Sequence, residues 1–263
     1  MTYYSFDSTL DGLLTAVFDA FARRERPEAL LSAGDPMPLF CDDIHAVHSD
    51  PEKARRVWKG LEKRLPKEAV RMLMVSWLSE LPELNNPLFQ YICKVFRQPE
   101  SSGKAYSHNF ADSDVLTVTN IARKVSHEQL RMKQFVRFQK AKDGTYLAVI
   151  SPDHNVLPLI IDHFADRFND QPWLIYDAKR HYGFYYDGTG EPLRITFEDE
   201  SSVTFNLDNG RLDDDVLSDD DHLLQDLWRT YFKAICIKER MNPRKQLQDM
   251  PRRYWRCLTE KMA

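Results

Sequence analysis

Asp153-His154 is the nearest thing in the chain to an acid–base pair, a carboxylate beside an imidazole at a strand-to-helix junction. Those residue types can move protons near neutral pH. They also have a structural reading, in which Asp153 or Asn155 caps the following helix and His154 is its polar neighbour. His127, Arg131 and Lys133 crowd one helical segment just ahead of a basic strand carrying Arg137. Such a cluster binds phosphate or solvates a helix end. Toward the C-terminus, Lys238, Arg240, Arg244, Arg252, Arg253, Tyr254 and Trp255 set cations beside aromatic rings. Arginine pairs bidentately with phosphate and aromatic rings stack on unpaired bases, so this tail suits single-stranded or flipped nucleic acid. The competing arrangement folds Tyr254 and Trp255 onto the core and ties the arginines to Asp213–Asp221.

Other chemistry is absent by motif. There is no G-x-G-x-x-G, P-loop, H-E-x-x-H, G-x-S-x-G or EF-hand loop. Cys41, Cys93, Cys236 and Cys257 stand apart with no C-x-x-C, which argues against a zinc ribbon or an iron–sulfur cluster carried by this chain alone. In a reducing cytosol they read as unpaired, mostly buried thiols. His45 and His48 lie three apart with nothing nearby to complete a metal site. No metal and no cofactor are expected.

The composition is that of a globular chain: 263 residues, 43% hydrophobic and 29% charged, net charge −4. No apolar run approaches the roughly 20 residues that span a bilayer, and the first residues lack a secretory pattern, so a cytoplasmic protein without a membrane role is expected. The charge is polarised. Between Glu198 and Asp226, 11 acids face Arg211 alone; from Trp228 onward, 10 bases face Glu239, Asp249 and Glu260. Blocks of this kind are solvated faces or sites for an anionic partner.

These residues must be positioned by helices first and strands later. Leu10, Leu13, Leu14, Val17, Phe18 and Phe21 form one helical face behind Ser8-x-x-Asp11; Asp50-Pro51 and Asn86-Pro87 open further helices. Val70 to Leu81 supplies another stripe. Pro99–Lys104 reads as loop, Asp112 to about Gln134 as helix with a re-entry at Ser126-x-x-Gln129. Phe135–Gln139 and Tyr146–Ile150 flank an Asp143-Gly144 turn, a short helix runs from about Asn155 to Phe168, and strands follow at 173–176, 182–186, 193–197 and 203–205. Their close spacing predicts antiparallel pairing over βαβ crossovers. A last long helix turns Leu223, Leu224, Leu227, Trp228, Tyr231, Phe232 and Ile235 inward and breaks at Asn242-Pro243. The expected class is α+β: a helical N-terminal part (1–110), then residues 111–263 with a mostly antiparallel central sheet, one helix and a helical basic tail. The two parts also read as one continuous domain.

Tyr4-Ser5-Phe6-Asp7, Leu13–Phe21, Phe135-Val136-Arg137-Phe138, Asp153–Pro158, Asp170-Gln171-Pro172-Trp173 and Lys238-Glu239-Arg240…Asn242-Pro243-Arg244…Met250–Trp255 keep one order along nearly the whole chain. In these blocks it resembles a bacterial family of DNA-repair or DNA-metabolism proteins. The resemblance implies a DNA context and a radical-SAM partner with its own iron–sulfur cluster. In some bacteria the module is fused to a uracil-DNA-glycosylase-like domain, and this chain resembles the stand-alone form. No reaction and no catalytic residue transfers with it. Three readings stand: a DNA-binding or adaptor subunit, an enzyme acting on damaged DNA through Asp153 and His154, and a protein-binding subunit whose basic tail docks on an acidic partner.

Overall fold

A computed structural model of the chain describes residues 2–32, 34–36, 41–197, 206, 210–235, 242–258 and 261. The chain forms two compact units, Met1–Ser126 and His127–Ala263.

The first unit opens with strand β1 (Thr2–Phe6), helix α1 (Leu10–Ala22), β2 (Ala29–Ser32) and β3 (Asp43–Ala46). The strands make a parallel sheet in the order β2-β1-β3. The helical reading of this region missed that sheet, because four- and five-residue strands carry too few alternating positions to stand out. Tyr4 and Phe6 are buried, two residues apart, and they are the visible trace of β1. Thr9, not Ser8, caps α1: its hydroxyl accepts from Gly12 N at 2.9 Å and donates to Asp7 at 2.6 Å. A Cβ at Gly12 would collide with Asp7 and Ser49, so glycine is what lets the helix start this close to the β1 exit.

Helices α2 (Pro51–Arg64), α3 (Lys67–Trp77), α4 (Asn85–Arg97) and α5 (Gly103–Tyr106) follow. Asp50 caps α2 as its sequence demands, accepting from Glu52 N and Lys53 N. Asn86 does not cap α4. It sits inside the first turn and accepts from Leu30 N at 3.1 Å, tying the helix to β2. Leu13, Leu61, Leu84, Leu88, Phe89, Tyr91 and Ile92 close the core around Tyr4. Helix α6 (Ser113–Phe135) begins where Lys94 bridges Asp112 and Asp114 at 2.8 and 2.7 Å.

The division between units falls inside α6. The expected re-entry at Ser126 does not occur: its hydroxyl bonds back to Ala122 O at 2.8 Å and the helix runs on. It also consumes the start of the strand expected at Phe135–Gln139, leaving β4 as Gln139–Lys140. The Asp143-Gly144 turn holds, with Gly144 at φ +89° and Thr145 N on Asp143 Oδ1 at 2.9 Å, and it joins β4 antiparallel to β5 (Tyr146–Ile150).

Helix α7 (Ile161–Arg167), entered through a 3-10 turn at Leu157–Leu159, then carries the chain back. Strand β6 (Trp173–Asp177) therefore pairs parallel to β5, a βαβ crossover through the helix expected between them. Strands β7 (Tyr182–Tyr186) and β8 (Leu193–Ile195) add antiparallel, giving the order β4-β5-β6-β7-β8. The strand expected at 203–205 lies outside the described residues.

Helix α8 (Asp219–Ile235), helix α9 (Pro243–Asp249) and a 3-10 segment at Arg252–Cys257 complete the unit. Asn242 caps α9, accepting from Lys245 N at 3.0 Å. The stripe expected to face inward on α8 faces outward: Leu223, Leu227 and Tyr231 are 63%, 57% and 55% exposed. Asp221 overrules hydrophobicity here. It is buried, accepts from Lys140 N at 2.8 Å, and lies beside Ser218 N on Lys140 O, so β4 grips α8 by a polar residue. Phe232 and Ile235 have no described side chains. The whole is α+β. Among the described residues no helix is long and apolar enough to cross a membrane.

Candidate functional site

Three helical faces of the second unit converge on a cavity of about 520 Å³. Lys133, Gln134 and Arg137 reach it from the end of α6 and the loop beyond. Phe164, Arg167 and Phe168 come from α7, at spacings that share a face. Asp221, Gln225 and Trp228 repeat the pattern on α8, and Phe138, Tyr146, His163 and Gln171 fill between.

The rings form one aromatic cluster. Phe164 and Phe168 lie nearly parallel at 8° with centroids 6.2 Å apart, and Phe138 meets them edge-on at 5.8 and 5.4 Å. Cations lie over the rings: Arg137 stands 5.4 Å from the Trp228 centroid and Arg167 5.6 Å from Phe168. The acid Asp221 is already engaged by Lys140 N and by the Gln225 amide. A cavity of this size, with flat apolar walls, three cations and several amides, suits a planar ring attached to an anion.

A second cluster sits beneath the tail. Glu128 on α6 is 1% exposed and gathers four donors. Asp153 N and His154 N reach its two oxygens at 3.0 and 2.7 Å, the Tyr254 hydroxyl donates at 2.6 Å, and Arg253 Nη2 lies at 3.4 Å. Burial pushes the Glu128 carboxyl up, but the bonds from Tyr254 and the two backbone N–H groups outweigh it and hold the group below its ordinary value. Burial and the Glu128 carboxylate push the Tyr254 phenol up to about 12. Arg253 also pairs with Asp153 at 2.8 Å.

The candidate residues read from sequence thus divide. Lys133 and Arg137 line the cavity. His127 is exposed on α6, and Arg131 donates to Gln248 O at 3.1 Å. Asp153 caps no helix: its half-exposed carboxylate pairs with Arg253, and the 3-10 turn at Leu157–Leu159 has no side-chain cap. His154 gives its backbone N–H to Glu128, and Asn155 accepts from the Tyr182 hydroxyl. Tyr254 is buried against Phe135, so its ring faces the core. Arg253 pairs with Asp153 and Glu128, and not with the Asp213–Asp221 stretch of the competing arrangement. Trp255 is half-buried with its indole N–H on Met250 O, Arg252 lies 5.9 Å from its ring, and Arg244 is exposed on α9. Lys238 and Arg240 lie outside the described residues.

Sequence reasoning missed Phe164, Arg167, Phe168 and Trp228 as site residues. His163-Phe164…Arg167-Phe168 carries the only local signal, a cation and rings on one helical face. Trp228 was hidden in a stripe assigned to the core. Among the described residues no three His, Cys, Asp or Glu side chains converge as metal ligands.

Fold and cavity together describe an α+β protein whose second unit holds an aromatic, cation-rimmed cavity. The chain belongs to the DUF4130 family, a domain of unknown function, whose model matches residues 82–260 and so takes in nearly all of that unit. No curated protein and no solved structure matches it.

Proposed function

We propose that this chain is a DNA-binding adaptor subunit that presents DNA to a radical-SAM iron–sulfur partner, and in some bacteria to a uracil-DNA-glycosylase-like one. The resemblance in sequence supplies the DNA context and the partners. The observation that carries the reading is the cavity of the second unit. Lys133, Arg137 and Arg167 offer charge for phosphate, while Phe138, Phe168 and Trp228 offer faces for an unstacked base. Arg244 and Arg252, both exposed, are further cations of the tail. Single-stranded or damaged DNA is the preferred ligand, because stacked bases in a duplex cannot reach the rings.

The adaptor reading stands ahead of direct catalysis on the state of Asp153. Its carboxylate is neutralised by Arg253, and the buried carboxylate beside it, Glu128, is saturated with donors. Anisotropy titrations with single-stranded and duplex oligonucleotides test the proposal. Binding is expected to be tighter for the single strand and to weaken on Lys133→Glu with Arg137→Glu. Unchanged affinity in that double variant would remove the cavity from DNA binding. Product analysis on oligonucleotides carrying damaged bases, with the chain alone and then with the radical-SAM protein, separates adaptor from enzyme: turnover by the chain alone favours the enzyme.

A further inference from the structure

We propose that the first unit holds a separate binding site for an unphosphorylated ribonucleoside, at the carboxyl ends of β1 and β2. A cavity of about 490 Å³ opens there. Ligands of sheets with parallel strands bind outside the carboxyl ends, where turns leave backbone and helix starts facing a crevice. Here the β1–α1 turn contributes Ser8 and Thr9, the exit of β2 contributes Ser32 and Asp35, and the segment from Trp77 to Asn85 closes the far wall.

The lining selects the ligand. Among the described residues it contains two carboxylates, Asp35 and Glu80, and no lysine, arginine or histidine. A phosphate placed beside Asp35 would meet like charge, so the ligand is neutral or cationic there. Asp35 Oδ2 accepts from Ser32 N at 2.6 Å, which holds the carboxylate at the strand exit. A carboxylate has about four acceptor positions, so room is left for a pair of ligand hydroxyls. Ser32 Oγ accepts from Asn85 Nδ2 at 2.8 Å, which leaves its own O–H to donate toward the cavity. Trp77, half-buried, offers a flat apolar face, with Leu10 and Leu81 beside it. Vicinal hydroxyls on a carboxylate next to a ring on an indole is the pattern of a ribose carrying a base. An acid at the exit of the second strand of a β-α-β unit is well placed for ribose hydroxyls. The β1–α1 turn, Asp7-Ser8-Thr9, lacks the glycines that would let a phosphate approach its backbone.

Calorimetric titration of the full chain with adenosine, guanosine, cytidine and uridine tests the site. Their 5′-monophosphates and 2′,3′-dideoxy analogues are the comparison arms. At least one ribonucleoside is expected to bind one-to-one, with its monophosphate and dideoxy analogue about tenfold weaker or worse. Asp35→Asn keeps an oxygen for Ser32 N, so its melting temperature should match the parent while affinity falls about tenfold. Lys133→Glu with Arg137→Glu, in the other unit, should leave nucleoside binding unchanged. Failure of all four nucleosides at millimolar concentration, equal affinity for a monophosphate in the Lys133→Glu with Arg137→Glu background, or an unaffected Asp35→Asn variant would each overturn the proposal.

Discussion

Glu128 shows how one residue organises the end of the chain. It lies 126 residues before Tyr254, yet the two are joined by a 2.6 Å bond in a buried setting. Removing the hydroxyl leaves a buried carboxylate short of a donor, so Tyr254→Phe should cost about 1–3 kcal/mol in urea unfolding. The pH dependence follows from the direction of the Glu128 shift. Its folded value lies below its unfolded one, so the stabilisation is present above the ordinary carboxylate range and lost as pH falls through the depressed folded value. The stability gap between the parent and Glu128→Gln should therefore be flat from neutral pH down to about 5 and close at lower pH. A gap that widens on acidification would contradict the geometry. Cys93 gives a second residue-scale test. Burial pushes its thiol up to about 12, so in the native protein it should not react with a disulfide reagent at neutral pH and should react once unfolded.

At the scale of elements, two helices are placed by polar contacts that a hydrophobic pattern cannot express. Helix α1 is set against β1 by the Asp7–Thr9–Ser49 bonds, and Gly12 is the residue that permits it. Gly12→Ala must shift that network, and a loss of about 1–3 kcal/mol is expected by chemical denaturation, in spite of the better helix propensity of alanine. Helix α8 is set by Asp221. Asp221→Ala orphans Lys140 N and loosens the helix that carries Trp228, so both stability and DNA affinity should fall together. A variant that loses stability while binding DNA as before would detach α8 from the site.

For the whole molecule, charge and stacking make separable demands on the proposed DNA binding. Each phosphate left without its cation should lower the slope of log affinity against log salt by about 0.7 to 0.9. Lys133→Glu with Arg137→Glu should thus weaken binding and flatten the salt dependence. Trp228→Ala should cost about 1–3 kcal/mol per base it stacks, with the slope nearly unchanged. Salt-series anisotropy on both variants distinguishes the two contributions; a changed slope in Trp228→Ala would mean that the ring acts by placing Arg137 and not by stacking.

Local physics was legible in the sequence alone. The cap at Asp50, the helix break at Asn242-Pro243, the Asp143-Gly144 turn, the stripes of the N-terminal helices and the polarised charge each depend on residues within a few positions of one another. Of the cavity, Lys133 and Arg137 were visible for the same reason, as a cluster of like charge on one segment. The tertiary structure decided what depends on distant partners. The parallel pairing of β5 with β6 comes from the return path through α7, and strand spacing does not encode it. The burial of Tyr254 needs Glu128, which no nearby residue announces. The outward turn of Leu223, Leu227 and Tyr231 needs Asp221 on the edge of β4. An apolar stripe states that a helix has two faces; only the neighbour it meets determines which of them is turned inward.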